Sequence, residues 1–320
     1  MSDPIKQELA KQGVLALDGA MATELEKLGV ATNNELWSAT ALINAPEKIK
    51  QVHLKYFAAG ATIAITDTYQ ANVTAFKRAG FSLAQSQKMI LTAVELAKAA
   101  REEFLAQTAL EGKAMQQLLL AGSVGPYGAY LADGSEYTGA YKLTQKAFQD
   151  FHRSRMQLLA DAGVDLFAFE TLPQFEEAKA LVALLHTEFS RYSAWLSFSI
   201  KDATHLCDGT SLAQAAAFFA KEPQISAIGV NCTTMTKIAD AIKTIAQVTT
   251  KPIIVYPNNG DLYEPQTKTW VTNPQAATFS ELVPTWIDAG AKIIGGCCRT
   301  TPADIRQIAA AIQATKLTEK

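Results

Sequence analysis

Apolar residues along the chain fall into eight short runs, separated by longer stretches in which apolar positions recur with a helical period. The runs are "VLAL" (14–17), "TIAIT" (62–66), "LLLAG" (118–122), "LFAFE" (166–170), "AWLSFS" (194–199), "AIGVN" (227–231), "IIVYP" (253–257) and "KIIGG" (292–296). Most lack the every-second-residue polar pattern of a half-exposed strand, as expected for parallel strands covered by helices. Between them, helices are predicted over 46–59, 83–107, 141–162, 175–189, 211–220, 237–247, 279–289 and 302–314. Pro46 and Pro302 suit a first helical turn, where the missing N–H is not needed. Gly60, Gly163 and Gly290 stand where a left-handed residue would end a helix. The fragments "AAGAT", "DAGVD" and "DAGAK" each place that glycine just before a strand, as stacked units with similar turns would leave it.

Eight strand–helix units without a linker or a shift in composition predict one domain, residues 1–320, folded as a (β/α)8 barrel. The rival is an open doubly wound sheet, whose strand order a single sequence does not display. No GxGxxG or GxxxxGK[ST] follows the first strand to favour it.

Composition narrows the partners. A chain of 320 residues that is 48% hydrophobic can bury a large core. With 29 basic against 31 acidic side chains it has no surplus to attract nucleic acid or an anionic membrane. The opening "MSDPIKQELAKQG" has no leader pattern and no later stretch approaches a membrane span, so a cytoplasmic protein is expected. The absence of a heptad repeat or long C-terminal extension favours a monomer. Four cysteines are too few for a disulfide framework and are expected as reduced thiols.

In a barrel of this kind the chemistry gathers where the strands end. The ends predicted here carry Asp18-Gly19, Glu170-Thr171, Asn231-Cys232, Pro257-Asn258-Asn259-Gly260 and Gly296-Cys297-Cys298-Arg299. Cys232, Cys297 and Cys298 therefore share one rim. Three thiolates with a fourth position open match a catalytic zinc site. The same residues also admit two other readings: buried cysteines acting as small hydrophobes, or a vicinal disulfide between 297 and 298.

"GVNCT" (229–233) followed by "IIGGCCRTTP" (293–302) resembles the paired cysteine motifs of the homocysteine S-methyltransferase family, which are zinc-dependent barrels. "LDGAMATELE" (17–26), "LWSA" (36–39), "TYQAN" (68–72), "SVGPYGAYLADGSEY" (123–137), "FETLPQFEEA" (169–178) and "YPNNG" (256–260) are similar to its bacterial and plant branch, which uses S-methylmethionine. The resemblance covers residues 15–312. It implies Zn2+ held by Cys232, Cys297 and Cys298, with the homocysteine thiol in the fourth position. The implied donor is S-methylmethionine, with S-adenosylmethionine as a second, and the product is methionine. Asp18, Gly19, Glu170 and Asn231 form the expected substrate-binding set, Asp18 and Glu170 facing the ammonium group. No catalytic residue beyond the zinc site is expected, because the metal itself favours the thiolate. The chain departs from the pattern at Asn259 and Thr68, each in place of a serine.

An all-thiolate site suits sulfur chemistry better than a hydrolase or lyase, which would bring histidine or carboxylate ligands. The non-enzymatic alternative is a zinc- or thiol-binding sensor without a donor pocket. The loop 123–137 is expected either to cover the site and meet the donor or to serve as an ordered connector. His205 and Cys207, after the fifth strand, receive no role. His53, His152 and His186 fall in helical patterns and are expected to be structural or surface residues.

Overall fold

A computed structural model describes residues 3–112, 116–264 and 269–318. Each predicted run forms a strand: β1 (Leu15–Ala16), β2 (Ile63–Ile65), β3 (Leu119–Val124), β4 (Leu166–Leu172), β5 (Ala194–Phe198), β6 (Ile225–Asn231), β7 (Ile253–Tyr256) and β8 (Ala291–Ile294). They lie side by side in sequence order, all parallel, with β8 returning to pair with β1. The ring closes where β1 meets β2: the N–H of Thr62 donates to Ala16 O at 2.8 Å, and the N–H of Asp18 donates to Ile63 O at 3.0 Å. The open-sheet alternative is thereby excluded.

Helices follow the strands at Pro46–Ala58, Leu83–Leu110, Gln145–Ala162, Phe175–Glu188, Leu212–Phe219, Ile238–Ala246, Phe279–Ala289 and Pro302–Thr318. The third begins four residues later than its pattern suggests, because the Thr144 hydroxyl caps it by accepting the Ala147 N–H at 3.2 Å. Other elements give no strong periodic signal: a helix at Pro4–Gln12, short helices at Met21–Lys27 and Val73–Arg78, and two antiparallel hairpins beyond β5 and β7.

Period-two alternation along the strands places the site. Leu15, Leu119, Ala121, Leu166, Ala168, Trp195, Ala227, Ile254 and Ile293 fill the barrel interior, and Ile5 of the first helix joins the same cluster. Intervening residues such as Phe167, Phe169, Leu196 and Val230 pack outward against the helices. Two residues further along each strand the inward positions turn polar: Ala121 is followed by Ser123, Ala168 by Glu170, Trp195 by Ser197, and Gly229 by Asn231. All four polar residues are buried. The polar layer is thus set by the same alternation that builds the core.

Gly229 lets β6 and β7 approach so closely that a Cβ there would overlap the carbonyl oxygen of Ile254. Gly229→Ala is expected to cost about 3 kcal/mol, seen as a lower urea midpoint. A midpoint equal to that of the parent would contradict this account of the β6–β7 contact.

Candidate metal and substrate centre

Strands β6 and β8 deliver the three sulfurs. Asn231 is the last residue of β6, and Cys232 follows in a left-handed conformation (φ 50°), with its N–H bonded to Tyr256 O at 3.1 Å. After β8 the chain runs through Gly295 and Gly296. A Cβ on Gly295 would stand 2.6 Å from the Leu17 Cβ and 2.8 Å from Asp18 O, so only glycine lets this segment lie against the end of β1. The Gly296 N–H donates to Asp18 O at 3.0 Å and the Cys297 N–H to Pro257 O at 2.7 Å. Thr300 fastens the same corner: its hydroxyl donates to Cys297 O at 2.6 Å and accepts the Ala20 N–H at 3.1 Å.

The outcome is a cluster of Cys232, Cys297 and Cys298 whose sulfurs all lie within 4.8 Å of one another. Cys232 Sγ and Cys298 Sγ are 3.6 Å apart. A tetrahedral zinc with sulfur at about 2.3 Å needs sulfur–sulfur separations of about 3.8 Å, so the donor set fits that ion. Held this close, the thiols share protons unevenly. Hydrogen bonds with Cys232 and then Cys297 lower the Cys298 pKa well below the usual thiol value. The Cys297 thiol is pushed well above that value by its bonds to Cys232 and Cys298.

Asp18 and Glu170 lie buried at the ends of β1 and β4. Burial pushes the Glu170 carboxyl up to about 7, opposed by hydrogen bonds from Ser123 and Tyr256, and helped by the charge of Cys232. Burial likewise raises Asp18 well above the usual carboxylate range, against the Ile65 N–H that donates to its Oδ2 at 2.8 Å; the charge of Glu170 raises it further. Two acids that repel each other in a dry layer favour a cationic guest.

Gly19 stands between Thr300 and Tyr56: a Cβ there would be 2.8 Å from Thr300 Oγ1 and 2.9 Å from Tyr56 Cε1. Asn231 is fully buried and bonded to its neighbours. Its Oδ1 accepts from the Thr171 N–H and the Ser197 hydroxyl, both at 2.8 Å, and its amide donates to Thr171 Oγ1 at 2.7 Å. These bonds hold Thr171 left-handed (φ 56°), a conformation that costs a β-branched residue about 1 to 2 kcal/mol.

Other sequence candidates separate from the cluster. His205 is half-exposed and pairs with Asp202 at 3.0 Å, while Cys207 Sγ lies 3.3 Å from the Ser199 hydroxyl. Asn259 serves the turn beside Cys298: its N–H donates to Cys298 O at 3.2 Å and its Oδ1 accepts the Asp261 N–H at 2.9 Å. The Thr68 hydroxyl donates to Ser123 O at 2.8 Å. His53 is buried without a hydrogen-bond partner on either ring nitrogen among the described residues, and burial lowers its pKa to about 4.

The loop 123–137 reaches the centre. Its turn Ser135–Tyr137 sets the Tyr137 hydroxyl 3.3 Å from Cys232 Sγ. Burial pushes the neighbouring Glu136 carboxyl up to about 7, with the charges of Cys232 and Asp133 adding to the effect. Neither residue carries a sequence signal beyond its place in "DGSEY". A buried network supports the loop from behind. The Arg155 guanidinium donates to the carbonyls of Tyr69 at 2.9 Å and Gly125 at 2.6 Å, and to His152 Nδ1 at 3.0 Å. His152 Nε2 then donates to Glu177 Oε1 at 2.8 Å, which makes this histidine neutral with its proton on Nε2.

The fold and the site together define a class: a (β/α)8 barrel with a three-thiol cluster at the C-terminal mouth. The family model for homocysteine S-methyltransferase matches residues 15–312, and the chain belongs to that family. It is 48% identical to a homocysteine S-methyltransferase of Escherichia coli (strain K12), over 97% of this chain and 98% of the relative. It is 45% identical to homocysteine S-methyltransferase 3 of Zea mays, over 93% of this chain and 90% of the relative. The metallated form of the homocysteine methyltransferase MmuM from Escherichia coli superposes with a TM-score of 0.87 at 47% identity, covering 96% of this chain and 99% of that one. Among the described residues no helix is long and apolar enough to cross a membrane.

The raised Glu170 pKa gives a signed prediction. Folding raises this pKa, so the folded state holds the proton more tightly and stability falls as pH rises from about 4 to about 7. Glu170→Gln removes the buried charge. In metal-free protein the variant is expected to exceed the parent by about 3 kcal/mol at pH 8 and by less than about 1 near pH 4.5. Urea denaturation at the two pH values checks this, and a gain that is equal at both would refute it.

Proposed function

We propose that this protein transfers a methyl group from S-methylmethionine to the sulfur of homocysteine, giving two molecules of methionine. The observation that carries the reading is the convergence of three thiols within 4.8 Å above two buried, mutually repelling carboxylates. The thiols suit a thiophilic ion with one open position, and the acids suit an ammonium group. A sensor would need the thiols but not the acids.

In this reading Cys232, Cys297 and Cys298 hold Zn2+. When bound, zinc supplies stabilisation of the homocysteine sulfur as a thiolate at neutral pH, where a free thiol with a pKa near 8.5 is mostly protonated. Asp18 and Glu170 bind the homocysteine ammonium and fix the amino acid below the sulfurs. Gly19, pressed against Tyr56 and Thr300, keeps the first turn after β1 close to the substrate. Asn231 acts through Thr171, holding the left-handed corner after Glu170 rather than spending its own bonds on substrate.

The thiolate sulfur gives its electron pair to the donor's methyl carbon. The bond from that carbon to the sulfonium sulfur breaks, its pair stays on the leaving sulfur, and a neutral thioether departs. Homocysteine's thiol proton is released to solvent. No side chain has to move a proton in the transfer step, and alignment is the protein's main contribution, worth about 7 to 11 kcal/mol in well-oriented reactions. S-adenosylmethionine, a sulfonium of the same kind, is a second donor in this reading.

Reduced, zinc-loaded protein is expected to form methionine from homocysteine and S-methylmethionine, measured by mass spectrometry. Cys298→Ala should lose bound zinc and activity together; zinc retained without turnover of any sulfonium by the parent protein would favour the sensor. Glu170→Ala should keep zinc but weaken homocysteine binding about tenfold or more. Unchanged binding would remove Glu170 from the ammonium site.

A further inference from the structure

Glu136 has no task in the reading above, yet it is built into the centre. One of its carboxylate oxygens, Oε2, is sealed from solvent and has no hydrogen-bond partner among the described residues. Glu136 belongs to the turn Ser135–Tyr137, whose last residue sets its hydroxyl against Cys232 Sγ, so the turn that carries Glu136 stands beside the cluster. The Tyr137 hydroxyl stands 3.3 Å from Cys232 Sγ, and the pKa of buried Tyr69 is raised by burial first and by the charge of Glu136 next. The turn has little freedom to turn away: a Cβ on Gly128 would lie 2.7 Å from the Glu136 amide nitrogen, so the helix Tyr127–Leu131 packs directly on it. A sealed, unpartnered carboxylate oxygen is costly unless a cation completes the site.

We propose that the Glu136 carboxylate receives the sulfonium centre of the methyl donor, an assignment that rests on the methyl-transfer reading. Asp18 and Glu170 are committed to the homocysteine ammonium at the ends of β1 and β4. Glu136 comes instead from the loop after β3, beside the cysteines, where the donor's methyl group must point at the homocysteine sulfur. A sulfonium has no N–H or O–H to offer, so hydrogen-bond acceptors arranged for an ammonium would serve it poorly. It carries its charge on sulfur and the adjoining CH groups, and a carboxylate oxygen without a fixed partner suits it, as does an aromatic ring such as that of the adjacent Tyr137.

The charge relation has a kinetic consequence. Positive charge on the donor sulfur falls as the methyl group leaves, so Glu136 holds the donor more strongly before the transition state than in it. The departing thioether is neutral and loses the attraction altogether. Glu136 therefore serves donor capture and product release rather than the speed of transfer.

The experiment compares the parent with Glu136→Gln and Glu136→Asp, all zinc-loaded. Binding of S-methylmethionine is measured against binding of methionine, the neutral thioether with the same ammonium and carboxylate. Glu136→Gln is expected to weaken S-methylmethionine binding about tenfold or more, to leave methionine binding, zinc content and the homocysteine KM unchanged, and to lower kcat/KM for the donor with little loss in kcat. Glu136→Asp should keep part of the preference for the cation. Equal losses for both ligands, or no loss for either, would overturn the assignment while methyl transfer by the parent stands. If the parent transfers no methyl group from any sulfonium, the underlying reading fails and this assignment falls with it.

Discussion

Three thiol sulfurs within 4.8 Å of one another cannot all ionise without a cation between them, and nearly everything distinctive at this barrel mouth serves to hold them there. Cys232 is carried on a left-handed corner after β6. Cys297 and Cys298 follow a pair of glycines that lie flat against Leu17 and Asp18. Thr300 ties that corner to the first strand. Left-handed residues are expensive away from glycine, and here Thr171 is the penultimate residue of β4, Cys232 follows directly on β6 and Arg299 follows the cysteine pair after β8. The local cost is borne by a scaffold whose barrel interior and helix layer are densely packed.

Charge is the second organising element. The mouth holds Asp18, Glu170 and Glu136 in surroundings that disfavour ionisation, and the thiols add to the repulsion. Such an arrangement destabilises the free protein and is relieved by cations. In the proposed reaction every partner brings one: the metal, the ammonium of homocysteine and the sulfonium of the donor. The buried Arg155–His152–Glu177 network lies behind the mouth and holds the backbone at Tyr69 and Gly125, which keeps the donor side of the site in shape.

The barrel was readable because its strands are buried on both faces and are therefore nearly continuous apolar runs, with glycine or proline marking several helix boundaries. What escaped was short or governed by contacts distant in sequence. The hairpin Ile200–Asp202 with His205–Leu206 has too few residues for a periodic signal, and the helix Pro4–Gln12 buries only a narrow face. At the site, the cysteine set was visible from residue type and strand position. The tasks of the polar residues were less so: Asn231 sits at a predicted strand end, but only the fold reveals that its side chain is bonded to Thr171 and Ser197. Glu136 and Tyr137 lie in a loop whose path cannot be derived from pattern, since the Arg155 network and the packing of Gly128 place it.

X-ray absorption at the zinc edge of the reduced, zinc-loaded protein, before and after homocysteine is added, tests the central claim most directly. The account predicts three sulfur neighbours at about 2.3 Å and one light atom at first, then four sulfurs once homocysteine binds. Four protein ligands from the outset, with no change on adding homocysteine, would contradict it, because no position would be left for the substrate.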